Sequence, residues 1–447
     1  MRKTLQTTTA VVLLISLALM GCSQRPSGGA ASTPDNSKPA AAKPEASTAA
    51  PAAPAAAPSG DKIRLTIYST MSETANQDVL KGIGNDFMKE NPNIQLDFQF
   101  PGSEYENILK VKMAANDLPD VWDTHGWAII RYGKFLADLK DQPWASNQTD
   151  TVKNVVTDKD GKVHALVMSE AKDGISFNAD LLQKYGIEVP KTYNELMAAA
   201  EKIKTQSNGE VAPFFMSGID NGMLGGYLDI YASPFYIAPK ENFAQSLLDG
   251  KFDWNKWTPL AQNLLDMQKK GYINSDVLTA KRSDLPQRFA QGKVAFVMGA
   301  PSFADDVHKI SPNIKIGLMA VPSIVDGDEP SFSGGERYTM GAWKDGKHLA
   351  ESKKLITFFA KPENMEKIAN VTKLPPGLKG VNSKHEFSDY YNKYVNNRVF
   401  PYFDRVYLPN GMWDVMCKTG AALLAGTVTP AQFSEKMKQE YERLRNK

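Results

Sequence analysis

Cysteine is nearly absent from this 447-residue chain, with only Cys22 and Cys417 present. Histidine is almost as scarce, at five residues, and no H-E-x-x-H pair offers a zinc-binding helix. The nucleophile elbow G-x-S-x-G is missing too. Neither sign of charge is in excess, with 52 Lys plus Arg against 50 Asp plus Glu, so nothing argues for a nucleic acid or another polyanion as partner. The one greasy run near the start, Ala10 to Met20, is about half of what a transmembrane helix needs.

Arg2 and Lys3 precede that run, which makes the segment read as a secretory signal. It ends in "LALMGCS", and Leu19, Gly21 and Cys22 resemble the lipobox of bacterial lipoproteins, in which the cysteine is lipidated and the chain is cut before it. The expected signal peptide is 1–21; its removal takes Arg2 and Lys3 and leaves a formally neutral chain. With Cys22 committed to lipid, Cys417 stands alone and no internal disulfide can form. Cys417 lies in the apolar helical stretch "MWDVMCKTGAALLAG" and reads as a core residue. From Cys22 to Gly60 the chain is built from Ala, Pro, Ser, Thr and Gly. Such a segment buries too little to offset its ordering entropy and is expected to be a disordered tether, reaching roughly 35 Å if flexible and at most about 120 Å if polyproline-like.

The remaining body, Asp61 to Lys447, exceeds the usual size of one core, so at least two lobes are expected. Its pattern is α/β. "IRLTIY" (63–68) and "IQLDFQF" (94–100) alternate as strands around a helix from Thr74 to Glu90 that Asn91-Pro92 stops, and that order implies a parallel pairing. A helix over 103–116, a short strand over 120–123 and a helix over 127–136 should follow. A hairpin over 152–167 should turn at Asp158-Lys159-Asp160-Gly161, where calcium is disfavoured because the ligand ladder is incomplete. Capping boxes open helices at Thr192 and Thr429, Leu285–Gln291 reads as a helix and "VAFVM" (294–298) as a buried strand.

In order and spacing, "ENPNIQLDF", "ENILKVKMAANDLPDVWD", "GKVHALVMSEAKDGISFNADLLQKYGI", "RFAQGKVAFVMGAPSF" and "TGAALLAGTVTPAQF" resemble the extracellular solute-binding proteins of ABC importers, in particular the sugar-binding group typified by maltose-binding protein. The resemblance implies a two-lobed periplasmic-binding-protein fold, each lobe a mostly parallel sheet flanked by helices, joined by crossing hinge strands. Carried onto this chain, the N-terminal lobe is 61–175 with 334–367, the C-terminal lobe 178–321 with 368–447, and the crossings 174–178 and 321–333. It also implies a monomer that binds a carbohydrate, docks on ABC permease subunits, and needs neither cofactor nor metal.

A sugar offers an apolar C–H face and a rim of hydroxyls, so aromatic surfaces and charged hydrogen-bonding groups at strand ends are the candidates. Thr70 and Met71 follow the first strand, Asp123, His125 and Trp127 follow "DVW", and Glu170 follows "HALVM". Glu104 begins a helix, Asp220 and Tyr227 lie in the glycine-rich "SGIDNGMLGGY", Phe303 follows Gly299, and Glu336 and Arg337 follow a Gly-Gly turn. Trp413 matches a position where the family stacks an aromatic on its ligand. Each has a structural competitor: helix capping for Glu104 and Asp123, core packing for Trp127 and Phe303, and a structural role for His125. Trp254 and Trp257 read as structural.

The function expected is a non-enzymatic one: a lipid-anchored protein on the extracytoplasmic face of the membrane, on a Gram-positive surface rather than in a periplasm, that captures a neutral sugar or oligosaccharide for import. A lipid-anchored glycosidase and a co-receptor for a membrane sensor are the alternatives, since carboxylates are plentiful enough for a catalytic pair. Gly341 to His348 falls short of a P-loop because His348 replaces the magnesium-binding hydroxyl, and it reads as a strand end and turn.

Overall fold

The structure is a computed structural model that describes residues 62–446. The signal segment, the lipidation of Cys22 and the linker 22–60 expected from the sequence lie outside the described residues. Strand β1 (Ile63–Tyr68) pairs in parallel with β2 (Ile94–Gln99) through the helix Thr74–Glu90, and on its other side with β3 (Val121–Trp122). The apolar spacing of the helix decides its orientation: Leu80, Ile83 and Phe87 fall on one face and are buried against Leu65 and Ile67 of β1.

β4 (Leu166–Asp173) runs into Gly174 and continues as β5 (Ile175–Asn178). The two halves of this extended stretch join different sheets. β4 pairs with β11 (Phe332–Ala342), whereas β5 joins a second sheet made with β6 (Ala212–Phe214), β9 (Val294–Met298) and β10 (Ile316–Met319). A two-residue ribbon of β7 (Ile237–Ala238) and β8 (Glu241–Asn242) lies apart, and β12 (Val399–Pro401) completes the first sheet beside β11. The first sheet runs β12-β11-β3-β1-β2, with β4 on β11, and the second β10-β5-β9-β6.

Chain thus passes from the first sheet to the second at Gly174 and returns between β10 and β11, where Val321 and Ser331 bridge. One difference from a mostly parallel pair of sheets follows. β5 enters the second lobe and β10 leaves it, so they lie antiparallel, and β9 is antiparallel to β5 as well; only β6 and β9 are parallel there.

Each sheet has its own core. Leu80, Phe87, Leu355, Phe359 and Met365 cover the first, and Leu196, Ile203, Phe214, Phe296 and Trp257 fill the second. The second stay in the first lobe outlasts the expected Lys367, because the helix Pro362–Thr372 is continuous and Ile368, Leu374 and Leu378 remain in the first core. Trp257 stacks on Tyr236 with ring centroids 5.1 Å apart, and Trp254 packs on Tyr441 of the terminal helix Pro430–Arg445. Cys417 is buried.

Two local expectations are corrected. Residues 127–136 form successive turns in place of a helix, since the Trp127 carbonyl accepts from both Arg131 and Tyr132 and no regular register develops. The first arm of the hairpin expected over 152–167 is the helix Asp150–Val156: Val152 and Val156 are buried with helical, i to i+4 spacing. The turn at Asp158–Gly161 remains, closed by Thr157 and Val163, and Asp158 accepts from His164 Nε2 at 2.9 Å, which is the role of a turn residue.

Candidate functional site

A cavity of about 1360 Å³ opens between the lobes, walled by the turn after β3, the crossing at Asp173, the helix Gly222–Tyr236, the loop after β9, and the segment 402–414. Its first-lobe wall starts at Asp123. That carboxylate is buried and occupied: it accepts from the N–H groups of His125 at 3.0 Å and Thr339 at 3.1 Å, and from the hydroxyls of Thr339, at 2.9 Å, and Thr70. Asp123 therefore orients the turn and does not face the cavity. Thr70 is held behind it, and Met71 is in the core at 1% exposure. These three expected ligand contacts are corrected, because a strand end fixes position but not which way the side chain turns.

The turn then throws Trp127 forward. His125 (φ 43°) and Gly126 (φ 86°) are consecutive left-handed residues, and any Cβ on Gly126 would collide with the Arg405 guanidinium, 1.9 Å from Nη1. His125 and Trp127 line the cavity. The Arg131 guanidinium lies 4.0 Å over the Trp127 ring and is pinned by Glu106, which also accepts from the Tyr132 hydroxyl at 3.0 Å. Burial would raise the Glu106 carboxyl, but its contacts with His125 and Arg131 outweigh this and hold it below the usual range. Burial lowers His125. Glu104, the residue expected here, is exposed and bonds only Asn107 locally, while Glu106, one half-turn on, makes the cavity contacts.

At the crossing, Asp173 accepts from the Tyr402 hydroxyl at 2.7 Å and the Ala300 N–H at 3.2 Å. Arg337 faces the cavity next to it. Burial alone would lower its affinity for the proton, and Tyr402, Tyr338 and Asp173 raise it. Glu170 and Glu336 do not line this cavity. They sit on paired positions of β4 and β11, 6% and 3% exposed, and burial pushes each up to about 7. Both lie inside strands longer than the sequence suggested, where Glu170 accepts from the Thr149 hydroxyl and Glu336 lines a smaller pocket with Gly126 and Arg405.

The second-lobe wall carries Asp220, whose carboxylate accepts from the Arg282 N–H at 2.6 Å, Phe303 against Phe289, and Trp413 at 38% exposure on the helix Met412–Leu424. Tyr227 is 1% exposed, packed at a tilt against Tyr231 in the core, and does not line the cavity. Of the residues expected from the sequence, His125, Trp127, Asp220, Phe303, Arg337 and Trp413 come together around one cavity.

Five contributors were missed besides Glu106 and Asp173. Arg131, Tyr402 and Arg405 come from segments that read as ordinary surface or aromatic chain, and Arg405 lies 4.1 Å over the Tyr402 ring. Asp229 and Asp404 form a buried acidic pair at the cavity wall, in which Asp229 accepts from the Asp404 N–H at 2.7 Å. Burial, reinforced at Asp229 by the Asp404 charge, raises both carboxyls. A lone acid in the apolar run "YLDIYASPFY" was the available signal for Asp229. Among the described residues no cluster of three or more His, Cys, Asp or Glu could hold a metal ion, and no helix is long and apolar enough to cross a membrane.

The cavity thus gathers the exposed ring of Trp413 and the rings of Trp127 and Tyr402, each beneath a guanidinium group, together with carboxylates. A family model described as bacterial extracellular solute-binding protein matches residues 68–366. The chain is 43% identical to the melibiose/raffinose/stachyose-binding protein MelE of Bacillus subtilis over 385 residues, which is 86% of this chain and 90% of MelE. It superposes on a binding protein of Bacillus subtilis in an open conformation with a TM-score of 0.83 at 43% identity, covering 86% of this chain and 98% of that one. A sugar transporter of Bacillus licheniformis in complex with stachyose gives 0.79 at 48% identity, covering 86% of this chain and all of that one.

Proposed function

We propose that this chain, which belongs to the bacterial extracellular solute-binding protein family, captures a short neutral oligosaccharide of the melibiose, raffinose and stachyose kind and presents it to an ABC importer. The observation that carries the reading is the cavity shared by two lobes, where Trp127 and Trp413 come from opposite walls with charged hydrogen-bonding groups between them. Flat rings suit the C–H faces of successive sugar units, and carboxylates and guanidinium groups suit their hydroxyls. A ligand that touches both walls gains its full contacts only when the lobes are closed, so binding shifts the population toward the closed form that a permease can recognise.

The same reading places the protein at the outer face of a membrane, held by lipid on Cys22 at the end of a tether running to Gly60. Support comes from Arg2 and Lys3, the short apolar run and "LALMGCS". More than one acyl chain is needed for stable anchoring. Changing Cys22 to Ser should release the protein from the membrane fraction into the medium, and retention would refute the anchor.

Titration calorimetry of the full chain against melibiose, raffinose, stachyose and maltose, followed by recovery of the sugars, tests the ligand. Saturable binding with intact sugar recovered is expected. Cleaved sugar would bring the glycosidase forward, and no heat with any of them would refute the ligand class.

A further inference from the structure

Besides the bonds of Asp173 and Lys172 at the crossing to Ala300 and Tyr394, two polar links among the described residues span the cleft from lobe to lobe. Arg131 Nη2 donates to Asn410 Oδ1 at 2.7 Å, beside Trp127. The other is ionic. Lys373, just past the helix Pro362–Thr372 of the first lobe, reaches Asp305 at the start of the helix Ala304–Ile310 of the second. It also reaches Glu386 at 2.5 Å, next to Phe387 in a second-lobe cluster, and Glu386 in turn meets His308 Nδ1 at 3.4 Å.

The backbone makes room for this reach. Lys373 is left-handed, φ 56°, at a helix-ending position that glycine or asparagine usually fills. A lysine there carries strain that a glycine would not, and the conformation goes with a side chain that reaches Asp305 and Glu386. Lys373 is only 23% exposed against 62% for Asp305 and 32% for Glu386, so the shared cation is the shielded member. Burial by itself would lower Lys373, and its bonds to Asp305 and Glu386 outweigh that and raise it.

We propose that Lys373, Asp305 and Glu386 form a clasp that sets the closed population of the two lobes and thereby tunes affinity for every ligand by a common factor. The proposal rests on the reading of the cleft as a capture site that closes. When the binding-competent form is only a fraction of the population, the apparent dissociation constant is the intrinsic one divided by that fraction. Lys373 and Asp305 both line the cavity; as long as they bond each other and not the sugar, the clasp changes the fraction alone. Loss of the clasp therefore weakens short and long sugars equally, whereas loss of a ligand contact changes their ranking. Because the clasp is ionic, salt should loosen it even though the ligand is neutral.

The test uses the full chain with Lys373→Met, which keeps the apolar stem, and independently Asp305→Asn, both checked for an unchanged melting transition. Melibiose, raffinose and stachyose are titrated at about 20 mM and about 500 mM salt. The expected result is roughly three- to tenfold weaker binding at low salt, the same factor for all three sugars, and a salt dependence much flatter than in the parent. A second reading needs no ligand. In the full chain with Cys22→Ser, dyes at Val111→Cys and Ile310→Cys, exposed positions on the first and second lobes, should report a longer average separation once Lys373→Met is added. Unchanged affinity with unchanged separation would overturn the clasp, and so would unequal losses among the sugars, which would assign Lys373 to direct contact. If the parent binds none of the sugars, the capture reading fails, and the dye separation still decides the clasp.

Discussion

At the scale of single residues, Trp413 and Trp127 differ in what their removal should cost. Trp413 is 38% exposed on the cavity wall, so Trp413→Ala is expected to weaken sugar binding by about 1 to 3 kcal/mol and leave the melting temperature nearly unchanged. Trp127 is 9% exposed and lies under Arg131, so Trp127→Ala should lower both affinity and stability. Calorimetry paired with thermal melts separates the two, and equal behaviour would mean that one of the rings is misassigned. Glu170 supports a pH prediction. Its folded-state value of about 7 lies above the ordinary 4.5, so between these values the folded form holds the extra proton, and stability falls as pH rises from about 4.5 to 7. Glu170→Gln, which can still accept from Thr149, should raise stability by about 2 kcal/mol at pH 8 and change little at pH 4.5. A loss at pH 8 would show that the charged form is the one the fold uses. Residue type and strand-end position pointed to His125 and Trp127, a Gly-Gly turn to Arg337 and the family resemblance to Trp413, and all four line the cavity. Such signals could not say that Asp123 turns inward to Thr339, nor that Asp404 meets Asp229 from 175 residues away.

At the scale of elements, the crossing depends on a residue without a side chain. A Cβ on Gly174 would lie 2.1 Å from the Met319 carbonyl and 2.8 Å from the Phe332 ring, that is, between the strands that lead into and out of the second lobe. Gly174→Ala should therefore force β5 and β10 apart and destabilise the chain by roughly 2 kcal/mol or more, read as a lower urea midpoint; an unchanged midpoint would show that the crossing is slack. Long periodic elements were legible: Thr74–Glu90 from its apolar stripe, and the helices after Thr192 and Thr429 from capping boxes that both form. Residues 127–136 and 150–156 were not. In the first, two left-handed residues upstream and a shared carbonyl defeat a helical pattern; in the second, a seven-residue segment rich in valine carries both strand propensity and helical burial.

At the scale of the whole molecule, the expectation concerns both lobes at once. Sugar at about a thousand times its dissociation constant should add about 4 kcal/mol to stability, and because the ligand grips both walls, it should raise the melting of the two lobes together. A shift confined to one of two resolved transitions would place the ligand in a single lobe. The α/β class and the two-lobed plan were legible from alternation and the order of segments, whereas the antiparallel centre of the second sheet depends on how crossing strands enter and leave, which no local pattern carries. Those crossings also mean that neither lobe is a continuous piece of chain. β4 lacks its partner, and β3 its second one, until residue 342 has been made, and Trp254 lacks its contact with Tyr441 until the terminal helix 430–445 is complete. A nascent chain consequently owns no finished core for most of its synthesis, which is the state in which a polypeptide can be threaded through a narrow pore before it folds.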